Sequence, residues 1–89
     1  MVTSIILMHV KRDKVGETAE QLASVPGISE AYSVSGAYDL IAVARVRTND
    51  ELAELVTNRL AKITAIEKTD TLLAFKAYSK HDLEAMFDL

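Results

Sequence analysis

The chain has no cysteine, no tryptophan, one proline and three glycines among its 89 residues. Without cysteine it has neither a disulfide framework nor a thiolate metal site. No apolar run approaches the ~20 residues that a membrane-spanning helix needs. Residues 1–8 lack the basic leader and the small-residue cleavage site of a signal peptide. These absences predict a cytoplasmic protein with no membrane partner, no metal and no other cofactor.

The charge balance is mildly acidic, with 10 basic and 13 acidic residues and a net charge of −3. Nucleic-acid binding usually needs a basic face, so this balance gives no electrostatic reason to expect it. The basic residues of segment 11–14 surround Asp13, which indicates a solvated loop. Apolar residues make up 49% of the chain, which is ample for a globular fold. The length predicts one domain with a marginal core.

Apolar residues recur with a period typical of strands in some segments and of helices in others. Asp13 is predicted to cap the first helix. The Pro26-Gly27 pair is predicted to end it. Thr48 and Glu51 have capping-box spacing, so Thr48 or Asn49 is the expected cap of the second helix. The predicted elements are strands at 2–10, 28–34, about 38–47 and about 66–78, and helices at 14–25 and 48–63.

The predicted order is therefore βαββαβ, and segments 25–30 and 63–68 form a weak internal repeat that joins a helix to a strand. Two such halves make a four-stranded antiparallel sheet with both helices on one face, the ferredoxin-like α+β fold. We expect residues 1–78 to form this domain. Residues 79–89 are expected to form a short amphipathic C-terminal helix, with one face made by Leu83, Met86 and Phe87.

The face of this sheet that the helices leave uncovered is also predicted to be apolar. An antiparallel sheet face that meets water normally has polar side chains. Large exposed apolar patches mark interaction sites, so a second chain is the expected cover. The sequence predicts an obligate dimer packed sheet to sheet through side chains such as Ile5 and Leu7, Ile41 and Val43, and Leu73 and Phe75.

One acidic residue, Asp39, stands at the head of the apolar strand 40–44, just after a turn at Gly36. Gly36 can adopt the positive φ that a reversing turn needs. A carboxylate beside a buried surface is rarely left without partners. The partner is a neighbouring chain, a capped backbone or a small ligand, and pairing with Arg45 or Lys76 is a further alternative.

Three segments together resemble the effector-binding (RAM) domain of the Lrp/AsnC, or feast/famine, transcription regulators. They are Val25-Pro26-Gly27-Ile28, Ser35-Gly36-Ala37-Tyr38-Asp39-Leu40 and Ile66-Glu67-Lys68-Thr69-Asp70-Thr71. The resemblance implies dimers with facing sheets that assemble into rings, with an octamer expected. It also implies that an amino acid or related metabolite binds in clefts between dimers. Because the chain begins at the first strand, it is similar to stand-alone members, which bind effectors or co-assemble with full-length regulators.

The resemblance places the ligand site at five residues: Gly36, Tyr38, Asp39, Thr69 and Thr71. Asp39 would accept a hydrogen bond from an α-ammonium group. Both threonine hydroxyls, and backbone N–H groups near Gly36, would donate to an α-carboxylate. The chain departs from the family pattern at Thr64-Ala65, where the second half often has Pro-Gly.

Three classes of function fit this fold: an amino-acid sensor without catalysis, a small dimeric-barrel enzyme such as a monooxygenase, and a purely structural assembly factor. A catalyst needs a nucleophile, a poised histidine or a cluster of titratable groups. Only His9 and Asp39 are available, and nothing in the sequence pairs them. We therefore expect a sensor, no catalytic residue and no direct contact with nucleic acid.

Overall fold

The computed structural model describes residues 1–78 and residue 80. The strands are β1 (Val2–Val10), β2 (Ile28–Ser33), β3 (Leu40–Val46) and β4 (Ile66–Ala74). The helices are α1 (Val15–Ala23), which follows a 3₁₀ turn (Arg12–Lys14), and α2 (Asn49–Glu54), which continues as a π-helical turn (Leu55–Arg59) and a 3₁₀ turn (Leu60–Lys62). The predicted order of elements is confirmed. The tail helix predicted for residues 79–89 falls outside the described residues, apart from Lys80.

The four strands form one antiparallel sheet in the order β2-β3-β1-β4. Strand β1 is central and pairs on both sides, so β2 and β4 are the sheet edges. This arrangement confirms the ferredoxin-like α+β fold. In the part of the chain described, no helix is long and apolar enough to cross a membrane.

The core lies between the sheet and the two helices. The side chains of Ile6 and Met8 from β1, Leu40 from β3 and Leu22 from α1 are completely buried. Leu55 and Leu60, which follow α2, are 2% exposed and cover the other half of the same sheet face. A polar residue, Ser4, is also fully buried there, and its hydroxyl donates to the carbonyl oxygen of Leu72 at 2.8 Å. This bond satisfies the hydroxyl and ties β1 to β4.

The opposite face of the sheet, here called the open face, carries apolar side chains that no element covers. Residues directly opposite in an antiparallel pair point to the same face. Ile5 lies opposite Val43 and Leu72, and Leu7 lies opposite Ile41 and Asp70. Ile5 is 37% and Leu72 50% exposed, whereas a core side chain of either type is normally buried.

The prediction that side chains of β1 and β3 make the uncovered face apolar is therefore correct, whereas the prediction that Leu73 lies on that face is wrong. The register of β4 places Leu73 opposite the buried Ser4, on the helix side, and its neighbour Leu72 takes the position on the open face. Phe75 lies beyond the end of β4 and is 97% exposed. Both β3 and β4 are also shorter than the sequence predicted.

The caps of the two helices differ in how well the sequence predicted them. Thr48 is the N-cap of α2, because its hydroxyl accepts the N–H of Glu51 at 3.1 Å. The Glu51 carboxylate reaches back to the N–H of Arg47 at 2.9 Å. The prediction that Asp13 caps α1 is wrong. Asp13 lies inside a 3₁₀ turn that runs directly into α1, so the backbone is already helical at that residue.

Two glycines with positive φ provide a test of this packing. Gly27 has φ +98°, and a Cβ atom there would lie 3.2 Å from Cγ1 of Val46 and 3.5 Å from Cδ2 of Leu55. Gly36 has φ +113° and no neighbour within 4 Å. Backbone strain alone costs about 1–3 kcal/mol, so Gly36→Ala should lower the free energy of unfolding by that amount. Gly27→Ala should lower it further, because crowding of buried side chains is added.

Urea unfolding of both variants measures this difference. Gly16→Ala is the control: this residue lies in α1 with no neighbour within 4 Å, and the change should stabilise the helix by roughly 0.5–1 kcal/mol. A loss for Gly27→Ala no larger than that for Gly36→Ala would contradict the described packing.

Candidate functional site

The loop between β2 and β3 is held in place by backbone hydrogen bonds on both sides. Gly36 supplies the positive φ of its turn, at +113°. The N–H of Val34 donates to the carbonyl oxygen of Asp39 at 3.1 Å, which closes the loop. The N–H of Asp39 donates to the carbonyl oxygen of Met8 at 2.9 Å, which attaches the loop to β1. Asp39 is therefore fixed at the end of the sheet where β1 finishes.

The Asp39 carboxylate has a backbone partner. Its Oδ2 atom accepts the N–H of Val10 at 2.8 Å, and the side chain is half-buried. Among the partners that the sequence left open, the capped backbone is the one present within this chain. In the described residues Arg45 pairs with Glu30 at 3.7 Å, and Lys76 lies over the ring of Tyr78, so neither pairs with Asp39.

Tyr38 lies over the open face and joins two residues that the sequence did not associate with it. Its hydroxyl donates to Oδ2 of Asp70 at 2.5 Å, and its ring centroid is 4.8 Å from that of His9. The hydrogen bond to the Asp70 carboxylate raises the pKa of Tyr38 above its usual 10.0, and partial desolvation and the negative charge of Asp70 act in the same direction.

The other two predicted site residues lie on the opposite side of the sheet. Thr69 is opposite Met8 and Thr71 is opposite Ile6, so both face the helix layer. Thr69 lines a shallow cavity of about 170 Å³ with Leu60 and Ile66. Gly36, Tyr38 and Asp39 therefore lie in one loop, whereas both threonines lie on the face of the sheet opposite to Tyr38. The five-residue ligand site stays a prediction.

Asp70 and His9 are the residues of this region whose positions the sequence reasoning missed. Strand alternation alone places Asp70 on the face opposite Thr69 and Thr71. Its contact with Tyr38 depends on the register between β1 and β4, which the sequence pattern did not specify. Among the residues described, no three His, Asp or Glu side chains gather in a way that would hold a metal ion.

The family model for the Lrp/AsnC ligand binding domain matches residues 3–83 of the chain. The chain belongs to this family. The match begins in β1 and extends beyond β4, so it includes both helices and the hairpin loop with Gly36, Tyr38 and Asp39. The resemblance inferred from three short segments is confirmed.

Characterised relatives place this Lrp/AsnC domain among transcription regulators. The HTH-type transcriptional regulator FL11 of Pyrococcus horikoshii is 31% identical over 77 residues, which cover 86% of the chain and 50% of that regulator. The chain thus spans about half the length of the curated relatives it matches. The family context is transcription regulation.

Two solved structures show how closely the Lrp/AsnC fold is reproduced. The crystal structure of TTHA0845 from Thermus thermophilus has a TM-score of 0.83 and 38% identity, covering 90% of this chain and all of that one. The regulator NMB0573 of Neisseria meningitidis, solved in complex with L-Met, has a TM-score of 0.78 over 88% of this chain and 52% of its own. At 12% identity, the second comparison shows the fold alone.

The contact between Tyr38 and Asp70 predicts a change in tyrosine titration. Asp70→Asn should lower the pKa of Tyr38 toward 10.0, because it removes the carboxylate that accepts the Tyr38 hydrogen bond and, with it, the charge that opposes the phenolate. A raised folded-state pKa means that the contact stabilises the fold below pH 10.0 and that this stability is lost as the pH rises through the raised pKa. The ring ¹³C shifts of Tyr38, followed against pH, measure the effect.

Tyr32 is the internal control for that titration. Its hydroxyl donates to Glu30, and this bond raises its pKa in the same direction. Asp70→Asn should leave the titration of Tyr32 unchanged. A titration of Tyr38 that is also unchanged in Asp70→Asn would show that the hydrogen bond does not form in solution.

Proposed function

We propose that this Lrp/AsnC domain is a regulatory module without catalytic activity, which binds an amino acid or related metabolite and couples binding to its assembly. One observation carries the proposal: the hairpin loop holds Asp39 rigidly at the end of β1 while only one of its carboxylate oxygens accepts a bond from the described residues. A preorganised carboxylate suits recognition of an α-ammonium group. L-Met, the ligand in the NMB0573 complex, supports this class of ligand.

The open face supports the assembly part of this proposal. Its side chains form a patch across all four strands, which includes Leu72 on β4 and Ile5 on β1 and extends to Tyr32 on β2, at 48% exposure. A second copy that places its own open face on this patch would remove the apolar patches of both chains from water. We infer a homodimer of facing sheets, and further assembly of four such dimers into an octamer.

A neighbouring dimer would complete the ligand site. Within one chain the sheet separates the hairpin loop from Thr69 and Thr71. Both threonines lie on the edge strand β4, where an adjoining subunit can approach. In this proposal Asp39 of one subunit accepts from the ligand ammonium, and Thr69 and Thr71 of another donate to its carboxylate. A ligand held by two dimers stabilises the assembled ring relative to the free dimers.

The relatives of this module support a proposal about its partners. The chain matches half of the DNA-binding regulator FL11 and covers the whole of TTHA0845. We propose that it works in the cytoplasm as a stand-alone effector-binding assembly, or joined with a full-length Lrp/AsnC-type regulator. In the second case, transcription would be controlled through the DNA-binding domain of that regulator.

Two adjacent leucines test the dimer. Leu72 and Leu73 are each 50% exposed, but Leu72 lies on the open face and Leu73 on the helix side. Leu72→Lys should produce monomers in sedimentation velocity, because a charge in a buried interface is strongly unfavourable. Leu73→Lys, the matched control, should leave the dimer intact. A stable wild-type monomer, or equal behaviour of the two variants, would contradict a dimer formed through the open face.

Two substitutions at Asp39 separate its role in folding from its role in binding. Asp39→Ala should cost about 1–3 kcal/mol of stability, because the N–H of Val10 loses its acceptor. Asp39→Asn keeps an acceptor oxygen and should retain stability. Its affinity for the cognate amino acid should still fall about tenfold or more, because the charge that holds the ammonium group is gone.

Sedimentation velocity with each of the twenty amino acids identifies the ligand, and calorimetric titration measures its affinity. Asp13→Asn is the control, since this exposed carboxylate lies in the 3₁₀ turn before α1. An assembly that no amino acid alters would favour a structural factor, and turnover of an aromatic substrate would favour an enzyme. An unchanged affinity in Asp39→Asn would remove Asp39 from the ligand site.

A further inference from the structure

A second cleft, of about 560 Å³, lies at the end of the sheet far from the hairpin loop. The buried side chains of Val46 and Leu55 form its floor, at 8% and 2% exposure. The loop at Gly27 forms one wall, held against Val46 because glycine leaves no Cβ there. Strand β3 runs from Leu40 to Val46, so roughly 20 Å separates this cleft from the hairpin loop.

The cleft concentrates arginine. Three of the four arginines of the chain line it: Arg45, Arg47 and Arg59. Arg45 is paired with Glu30 at 3.7 Å, whereas Arg47 and Arg59 form no ion pair with any residue that the structure describes. A guanidinium group presents a planar fork of donors that matches a carboxylate. Two such groups beside an apolar floor suit an organic anion better than a hydrated inorganic one.

The carboxylates on the rim differ in what they already bind. Glu51 accepts the N–H of Arg47 at 2.9 Å, and Glu54 accepts Nδ2 of Asn58 at 2.6 Å. Asp50 also lines the cleft, and within residues 1–78 it makes neither a side-chain hydrogen bond nor an ion pair. The cleft therefore offers groups of both signs that lack protein partners.

An irregular helix turn contributes to this arrangement. Residues Leu55–Arg59 form a π-helical turn, and both ends of it line the cleft. A π turn has more residues per turn than an α-helix, which brings positions i and i+4 closer to the same side. Leu55 and Arg59, at the two ends of this turn, thus both line the cleft. Such turns are rare in proteins overall, but those that do occur frequently lie at functional sites.

We propose that this cleft binds a free α-amino acid with an aliphatic side chain. Arg47 and Arg59 hold its carboxylate, Asp50 accepts from its ammonium group, and its side chain lies on Val46 and Leu55. This site shares a class of ligand with the hairpin site, but it uses none of the same residues and is complete within one chain. Its existence does not depend on the function proposed above.

Chemical-shift mapping on the ¹⁵N-labelled full chain, with L-leucine as the probe, tests this site. The backbone amides of Gly27, Arg47 and Leu55 should shift as leucine is added. L-leucinamide lacks the carboxylate and N-acetyl-L-leucine lacks the ammonium group, so each should bind at least tenfold more weakly. Equal binding of N-acetyl-L-leucine would overturn the role of Asp50 and reduce the site to a carboxylate site.

Arginine variants provide the matched test, because the exposed side chains can be changed without disturbing the core. Arg47→Gln and Arg59→Gln should each weaken leucine binding at the cleft by tenfold or more. Arg12→Gln, at the fourth arginine and away from the cleft, should have no effect. Equal affinity in all three variants would overturn the proposal, as would the absence of shifts at the cleft in the wild-type chain.

The same spectra distinguish this proposal from the function proposed above. Shifts confined to Gly36 and Asp39 would support the hairpin site and overturn the cleft. Shifts confined to the cleft, unchanged by Asp39→Asn, would support the cleft and count against the hairpin site.

Discussion

Strand β1 is the element on which the other parts of the structure depend. It pairs with β3 on one side and β4 on the other, so its hydrogen bonds determine the registers of both of these strands. Alternate residues of β1 then sort the molecule into two faces. Ile6 and Met8 enter the core under the helices, whereas Ile5 and Leu7 lie on the open face. The last residue of β1, Val10, donates its N–H to Asp39 and so positions the hairpin loop.

Asp39 illustrates how one side chain can hold a loop in place while only one of its carboxylate oxygens accepts a bond from the described residues. A carboxylate that accepts a backbone N–H is held in a single orientation, and its remaining oxygen atom is presented in a known direction. The loop needs this restraint, because Gly36 contributes no side-chain packing. Tyr38 adds a second restraint through Asp70 of β4. The hairpin loop is thus attached to two strands of the sheet, and binding there would require little further ordering.

The two ends of the sheet have different chemistry. At the hairpin end, backbone groups and the pair of Tyr38 and Asp70 surround one carboxylate. At the other end, three arginines and three carboxylates line a cleft together with Val46 and Leu55, the first residue of the π-helical turn. Between these ends lies the open face, whose apolar side chains have the composition of an interface. The two ends share no residues with each other or with the apolar side chains of the open face, so each can be altered by separate substitutions.

The sequence by itself determined the order of the elements and the ferredoxin-like fold, because these follow from local periodicity. It limited the cap of α2 to Thr48 or Asn49, and the structure selected Thr48. The family followed from the resemblance of three short segments. The apolar character of Ile5, Leu7, Ile41 and Val43 on the open face also followed from alternation. Only the tertiary structure decided the register of β4, because a shift of one residue exchanges its faces. That register moved Leu73 to the helix side and brought Asp70, in place of Thr69 or Thr71, to Tyr38. The tertiary structure also decided the partner of Asp39 and brought three arginines to one cleft. These arrangements join residues distant in the chain, so no local sequence pattern predicts them.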